Sequence, residues 1–308
     1  MQKSFIERIE RVCELKELFS KAPSRVSFEF FPPKNLEMEA KLWLAVTRLQ
    51  SLNPAFVSVT YGAGGTTRER THNTVIRLKK ETALTPAAHL TCVGASKGEV
   101  DEVAREYYDA GIRHIVALRG DASDAQRGYE PHPQGYAYAS DLVAGLRKIG
   151  DFDISVAGYP EGHPEAPSID VDITHLQKKI DVGANRIITQ YFFDADVFLR
   201  YLEKVRARNI DVPVVAGILP VTNFAQVKRF SKMCGASVPQ WMAELFEGLD
   251  ANPELRHLIS AFIAAEQCRL LRSAGIEEFH FYTLNRARLT LAICHILGIR
   301  GQVDALKA

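Results

Sequence analysis

The 308-residue sequence is poor in cysteine, balanced in charge and free of long apolar runs, and each shortage narrows what the chain can be. Its five cysteines, Cys13, Cys92, Cys234, Cys268 and Cys294, are scattered, odd in number and never spaced C-x-x-C. That argues against a disulfide framework or a zinc knot and leaves reduced thiols, mostly in the core. Thirty-eight Lys and Arg stand against 37 Asp and Glu, so no global field exists to hold a polyanion or a membrane surface, and nucleic acid is not an expected partner. No segment has the uninterrupted apolar length of a bilayer span. The opening "MQKSFIERIERVCELKELFS" carries apolar residues at helical spacing with charges between them and no cleavage site, so it reads as an amphipathic helix of a cytoplasmic protein. No proline- or glycine-rich tract divides the rest of the chain, which gives an N-terminal helical extension over 1–25 and one barrel domain over 26–308.

What is present is strand and helix in alternation. With 46% hydrophobic residues the chain can fill a large core. Eight short β-branched or aromatic runs recur: "RVSFEFF", "FVSVTYG", "AAHLTCV", "HIVALRG", "DISVAGYP", "RIITQYFF", "VPVVAGIL" and "FHFYTL". Between them lie amphipathic helical patterns such as "EMEAKLWLAVTRLQSL", "KGEVDEVAREYYDAG", "YASDLVAGLRKI", "THLQKKIDVGA" and "DVFLRYLEKVRARN", with longer helical material between the seventh and eighth strands. Alternation of this kind calls for parallel strands joined by crossover helices, and eight units point to an α/β (β/α)8 TIM barrel with extra helices. An open α/β sheet is the alternative.

The first strand poses a problem. In "RVSFEFFPPK", Val26, Phe28 and Phe30 alternate with Ser27, Glu29 and Phe31 before two prolines end the run. Glu29 belongs either to a half-exposed edge strand or to the barrel mouth. Chemistry in a parallel barrel gathers at the carboxyl ends of the strands, and there the sequence places Glu29, Thr60, Tyr61, His89, Arg119, Gly120, Asp121, Tyr159, His163, Gln190 and Tyr282. If Glu29 points into that mouth among aromatics, desolvation favours its protonated form and it can act as a general acid. Asp121, two residues from Arg119, should stay ionised more readily and could stabilise a developing cation.

Other patterns are weaker. "YGAGGTTRERT" lacks both G-x-G-x-x-G spacing and a phosphate-loop ending and reads as a mobile rim loop. "HPEAPSIDVDITH" holds His163, Glu165, Asp170, Asp172 and His175, but without an H-E-x-x-H helix it favours polar contacts over a metal site. Lys178 and Lys179 are expected to begin the helix behind it, facing either a phosphate or solvent. Phe230 by itself reads as core, and His114 and His280 as structural. The polar rim alone leaves open a flavin-free aldolase or hydrolase, or a non-catalytic ligand-binding barrel.

The ordered set "SFEFFPPK", "VSVTYGAGG", "HLTC", "HIVALRGD", "YASDLV", "AGYPEGHPEA", "GANRIITQYFFD", "GILPVTNF" and "FHFYTLNRA" resembles methylenetetrahydrofolate reductase of the bacterial type over about Arg25 to Arg300. The resemblance implies a barrel that holds FAD and works by a ping-pong scheme. NADH or NADPH reduces the flavin, which then reduces 5,10-methylenetetrahydrofolate to 5-methyltetrahydrofolate. By the same resemblance Glu29 is the acid that opens the folate ring to a 5-iminium cation, and Asp121 stabilises that cation and lowers the flavin potential. The implied flavin site comprises Thr60, Tyr61, His89, Arg119, Gly120, Asp121, Tyr138, Ala139, Tyr159, His163, Asp172, His175, Lys178 and Lys179. At His175 and Lys178 the family carries Asn and Arg. Gln190, Gln226, Phe230, Tyr282 and Arg286 match folate or nicotinamide positions, which moves Phe230 from core to stacking surface. A homo-oligomer is implied, no metal, and no C-terminal regulatory domain of the kind that senses S-adenosylmethionine.

Overall fold

The computed structural model describes residues 24–61, 68–121 and 129–301. The N-terminal helix and the glycine-rich part of the rim loop, 62–67, lie outside the described residues. Strands β1 (Arg25–Phe30), β2 (Val57–Val59), β3 (Pro86–Thr91), β4 (His114–Leu118), β5 (Asp153–Gly158), β6 (Arg186–Thr189), β7 (Val214–Ile218) and β8 (Glu278–Tyr282) pair in chain order. All neighbours are parallel, and β8 returns to β1 to close the ring. The fold is thus a (β/α)8 barrel, and the open sheet is excluded. The edge-strand reading of Glu29 falls with it, because β1 is paired on both sides and Glu29 is only 8% exposed.

Helices α1 (Leu36–Leu49), α2 (Arg68–Glu81), α3 (Lys97–Asp109), α4 (Ala139–Ile149), α5 (Ile169–Asp181) and α6 (Ala195–Arg206) each follow one strand. After β7 come α7 (Phe224–Cys234), α8 (Gln240–Phe246) and α9 (Pro253–Ser273), and α10 (Ala287–Ile296) follows β8. Short polar side chains start them: Asn35 accepts from the Met38 amide, Asn223 from Gln226, and Ser96 forms a capping box with Glu99. Each such cap satisfies amides that a helix leaves without internal partners. The start of α5 corrects the sequence reading. Ser168 caps the helix at Ile169 rather than Thr174, so Lys178 and Lys179 stand in its last turn and not at its start. Asp172 and His175 consequently lie on the helix, not in the loop before it.

Alternation along each strand divides the barrel into two surfaces. Val26, Phe28 and Phe30 of β1, Ile115 and Ala117 of β4, Ile154 and Val156 of β5, and Phe279 and Phe281 of β8 face the helices and join one continuous core with Leu42, Val46 and Leu142. Complete burial of each such phenylalanine contributes about 1.5–3 kcal/mol. The intervening residues point inward. Phe56, Ala87, Val116, Ile188 and Val215 form an apolar plug inside the ring, with polar groups towards both strand ends. Among the described residues no helix is long and apolar enough to cross a membrane.

Candidate active site

At the carboxyl end of the barrel the inward positions of β1, β3 and β8 bring Glu29, His89, His280 and Tyr282 together. Glu29 Oε2 lies 3.4 Å from His89 Nε2 and 3.8 Å from His280 Nε2. Burial lowers the His89 pKa, opposed by the Glu29 charge and reinforced by His280. His280, taken from sequence as structural, therefore sits against the candidate acid; alternation carries it inward while its neighbours Phe279 and Phe281 go to the core. The Tyr282 hydroxyl donates to the Thr189 carbonyl at 2.7 Å across β7. Gly217 permits that crossing: a Cβ there would come within 2.1 Å of the Thr189 oxygen and 2.9 Å of the tyrosine ring.

The backbone around Glu29 is held by the loop after β8. Thr283 Oγ donates to the Glu29 carbonyl at 2.6 Å, and Asn285 binds both main-chain groups of Phe31, accepting from its amide at 2.9 Å and donating to its carbonyl at 3.0 Å. The Asn285 amide thus continues the β1–β8 pairing beyond the last strand residues. Leu284 and Asn285 adopt φ of 52° and 57°, a left-handed conformation costly for a non-glycine residue. No sequence motif announced Thr283 or Asn285 as part of the site, although "TLN" just past a strand is a polar turn signal.

On the β4–β5 side, Arg119 forms a two-pronged ion pair with Glu165 and lies 4.2 Å from the centre of the Tyr129 ring. Gly120 takes φ of +87°, which favours glycine. Exposed Asp121 follows and its charge is felt by Arg119 and Tyr159. The Tyr159 ring meets His163 edge-on at 4.7 Å. Asp172 is buried on α5 and its carboxyl pKa is raised by desolvation, with Lys179 and His163 opposing. Desolvation lowers Lys179 to about 8 against the pull of Asp172, while its Nζ donates to the Ala157 carbonyl at 2.7 Å. Thr60 and Tyr61 follow β2, and Tyr61 lines a cavity of about 160 Å³ with Arg68, Thr91 and Glu99. Tyr138 is exposed at the start of α4, next to Ala139.

The remaining sequence candidates are more peripheral. Gln190 is half-buried after β6, its amide oxygen accepting from the Tyr191 N–H. Gln226 and Phe230 are exposed on α7, Phe230 by 41%, so Phe230 is not a core residue. Arg286 is exposed at the start of α10, and its charge reaches His257. His175 and Lys178 are exposed on α5. Of the residues weighed as metal ligands, Glu165 pairs with Arg119 and Asp170 with Lys204 at 3.6 Å. Among the described residues no three His, Cys, Asp or Glu are grouped to hold a metal ion.

The mouth also contains buried polar atoms with no hydrogen-bond partner: Ser58 Oγ, His89 Nε2, Thr91 Oγ1 and His280 Nε2. Other unpaired buried atoms, such as the Tyr107 hydroxyl and Ser260 Oγ, lie away from the mouth, whereas these four sit on inward positions of β2, β3 and β8, where a polar ligand in the mouth would meet them. With the desolvated Lys179 ammonium and the glycine turn after Arg119, these atoms fit a planar heteroaromatic group with donors and acceptors along its edge.

The family profile described as methylenetetrahydrofolate reductase matches residues 14–298. The chain is 52% identical over 278 residues to 5,10-methylenetetrahydrofolate reductase of Pectobacterium carotovorum subsp. carotovorum, covering 90% of this chain and 91% of that one. It is 50% identical over 275 residues to the 5,10-methylenetetrahydrofolate reductase of Escherichia coli (strain K12), covering 89% and 91%. Among solved structures, an uncharacterized protein from Clostridium thermocellum that binds two copies of 5-methyl-5,6,7,8-tetrahydrofolic acid superposes with a TM-score of 0.61 over 92% of this chain and 97% of that one. At 14% identity that likeness shows the barrel fold alone.

Proposed function

The chain belongs to the methylenetetrahydrofolate reductase family, and on that premise we propose that it reduces 5,10-methylenetetrahydrofolate to 5-methyltetrahydrofolate by a ping-pong scheme, with FAD bound and NADH or NADPH as donor. The observation that carries the reading is the position of Glu29, a carboxyl 8% exposed inside the barrel mouth and flanked by two imidazole nitrogens. FAD, when bound, supplies the passage of reducing equivalents from the nicotinamide donor to the folate. Thr60, Tyr61, His89, Arg119, Gly120, Asp121, Tyr138, Ala139, Tyr159, His163, Asp172 and Lys179 would hold it, with His175 and Lys178 at the exposed margin.

Glu29 delivers a proton to the folate, so that the five-membered ring opens to the 5-iminium cation. His89, its pKa lowered by burial, lies 3.4 Å from the acid and flanks it in the mouth. Asp121 places a carboxylate at the rim to stabilise the positive charge that ring opening creates. Phe230 offers an exposed aromatic face for stacking, and Gln190, Gln226, Tyr282 and Arg286 supply polar contacts to folate or nicotinamide. Residues 26–308 act as one catalytic unit, with 1–25 as an extension.

Purified protein tests the reading directly. It should be yellow or become so with FAD, bleach on anaerobic addition of NADH or NADPH, and regain its colour when 5,10-methylenetetrahydrofolate is added. Colourless protein that cannot be reconstituted, or bleached protein that the folate does not reoxidise, would overturn it.

A further inference from the structure

Helix α7, which carries Gln226 and Phe230, is seated apart from the main core. Its inner residues Phe224 and Val227 belong to a smaller apolar cluster with Phe193, Leu219, Met242 and Phe246, in which the Phe224 and Phe246 rings stack at 4.9 Å. Apolar burial is non-directional, so it holds the helix down without fixing its rotation. The inner stripe then turns polar. Ser231, 1% exposed, stands where helical spacing from Phe224 and Val227 calls for another apolar residue, and Cys234 follows it at the end of the helix.

Both meet one side chain. Tyr191, 8% exposed just beyond β6, has its hydroxyl 3.2 Å from Ser231 Oγ, and the Cys234 thiol donates to the same oxygen at 3.3 Å. The Tyr191 amide in turn donates to the Gln190 side-chain oxygen at 3.0 Å, and the Gln190 amide to the Gly158 carbonyl at 2.8 Å. One residue thus joins the end of β6 to α7, with Gln190 against its main chain and α7 against its hydroxyl. A tyrosine present only to fill the cluster has no need of that hydroxyl: Phe192 and Phe193, next along the chain, are buried without one. A buried hydroxyl is costly unless it is paired, and α7 supplies two partners.

We infer that Tyr191 is a positioning residue for the substrate surface: through Ser231 and Cys234 it fixes the rotation of α7, and so the attitude of Phe230 and Gln226 relative to Gln190. This rests on the proposed roles of those three residues in contacting folate or nicotinamide. Gln226 and Phe230, four residues apart, share one stripe of α7, so a rotation of the helix displaces both. The residues proposed to hold FAD all precede β6 in the chain, which assigns the tie to substrate binding and not to the flavin.

The test compares Tyr191→Phe, Ser231→Ala and the double variant with wild type. Phenylalanine keeps the ring and removes the tie. In anaerobic stopped-flow, the concentration of 5,10-methylenetetrahydrofolate that gives half the limiting rate of flavin reoxidation should rise about tenfold in Tyr191→Phe, the upper end of what one hydrogen bond contributes. The limiting rate should stay within about twofold, as expected when binding is lost and the chemical step is not, and FAD affinity should be unchanged. Ser231→Ala alone keeps the Cys234 contact and should give a smaller rise. Tyr191→Phe also leaves the buried Ser231 hydroxyl unpaired. Adding Ser231→Ala removes that unpaired group, so the double variant should recover stability in chemical denaturation without recovering folate affinity. Hydrogen exchange needs no turnover: in protein without folate, the α7 amides should exchange about tenfold faster in Tyr191→Phe, with those of α5 unmoved. Folate affinity that returns with stability in the double variant, FAD affinity lost in proportion, or α7 exchange indifferent to Tyr191→Phe would overturn the inference. If wild-type protein itself fails to reduce the folate, the proposed function is what fails, and hydrogen exchange still decides whether Tyr191 holds α7.

Discussion

The same barrel encloses two polar clusters, one at each end of its strands, and they are built differently. At the base, His114 Nε2 lies 2.8 Å from Ser155 Oγ and 3.2 Å from Arg186, and Arg186 reaches both Asp153 oxygens at 3.1–3.2 Å. The guanidinium also lies over Phe56, at 5.4 Å. At the mouth, Glu29 approaches two imidazoles no closer than 3.4 Å, and His89 and His280 each keep an unpaired nitrogen. Closed pairing is what a buried polar group needs for stability. Open pairing at the more deeply buried of the two ends is a cost that makes sense where a ligand completes the set. Between them lies the apolar plug of Phe56, Ala87, Val116, Ile188 and Val215, whose Phe56 ring meets His114 and Arg186 on the base side and His280 on the mouth side.

The largest expected separation between the two ends comes from Glu29→Gln. It should slow the folate half-reaction by about 10³-fold, within the range that a positioned general acid contributes, and leave flavin reduction by NADH or NADPH largely intact. Equal loss in both halves would place Glu29 in the fold rather than in the chemistry. Arg186→Ala should do the reverse, lowering unfolding free energy by about 2–3 kcal/mol because it strips partners from Asp153, Ser155 and His114, with turnover per folded molecule unchanged. Chemical denaturation alongside assay of the folded fraction checks both halves of that statement.

Much of this contrast was readable in the sequence. Eight apolar runs separated by amphipathic helices gave the barrel, and the strand ends gave Glu29, His89, Arg119, Asp121 and Tyr282, because period-two alternation and the carboxyl-end rule are local properties. The partners of those residues were not readable. Ser27 and His280 are 253 positions apart and meet only through the β1–β8 closure, and Asn285 acts through a left-handed turn that no spacing rule signals. The start of α5 was missed because the acidic "SIDVD" before Thr174 resembles a loop until Ser168 is seen to cap it. Phe230 shows the opposite case: its apolar character suggested core, and only family resemblance, then its exposure, turned it outward.

Smaller effects refine the contrast between mouth and base. Asn285→Ala removes both side-chain bonds to Phe31 and should cost about 1–2 kcal/mol in stability, with the folate half-reaction slowed more than flavin reduction; the reverse order would detach this clamp from Glu29. Asp121→Asn should slow folate reduction about tenfold and raise the flavin potential, since a carboxylate that stabilises a nearby cation is lost; spectroelectrochemical titration showing an unmoved potential would refute that role. The pH dependence tests the base. Burial lowers His114 to about 3, with Asp153 opposing. Between that value and the ordinary histidine value the unfolded chain binds a proton that the folded chain does not, so stability falls as pH drops through this window, by up to about 1.4 kcal/mol per unit from this one group. Replacing His114 with Asn should flatten the acid limb of a denaturation series, and an unchanged slope would assign acid sensitivity elsewhere.

The open cluster is the proposed reaction site and the closed one is structural. Histidine side-chain nitrogen NMR, recorded before and after FAD addition, measures both ends of the barrel in one sample. His89 signals should shift on FAD addition while those of His114 stay in place. Movement of His114 with His89 unmoved would contradict that division of the barrel.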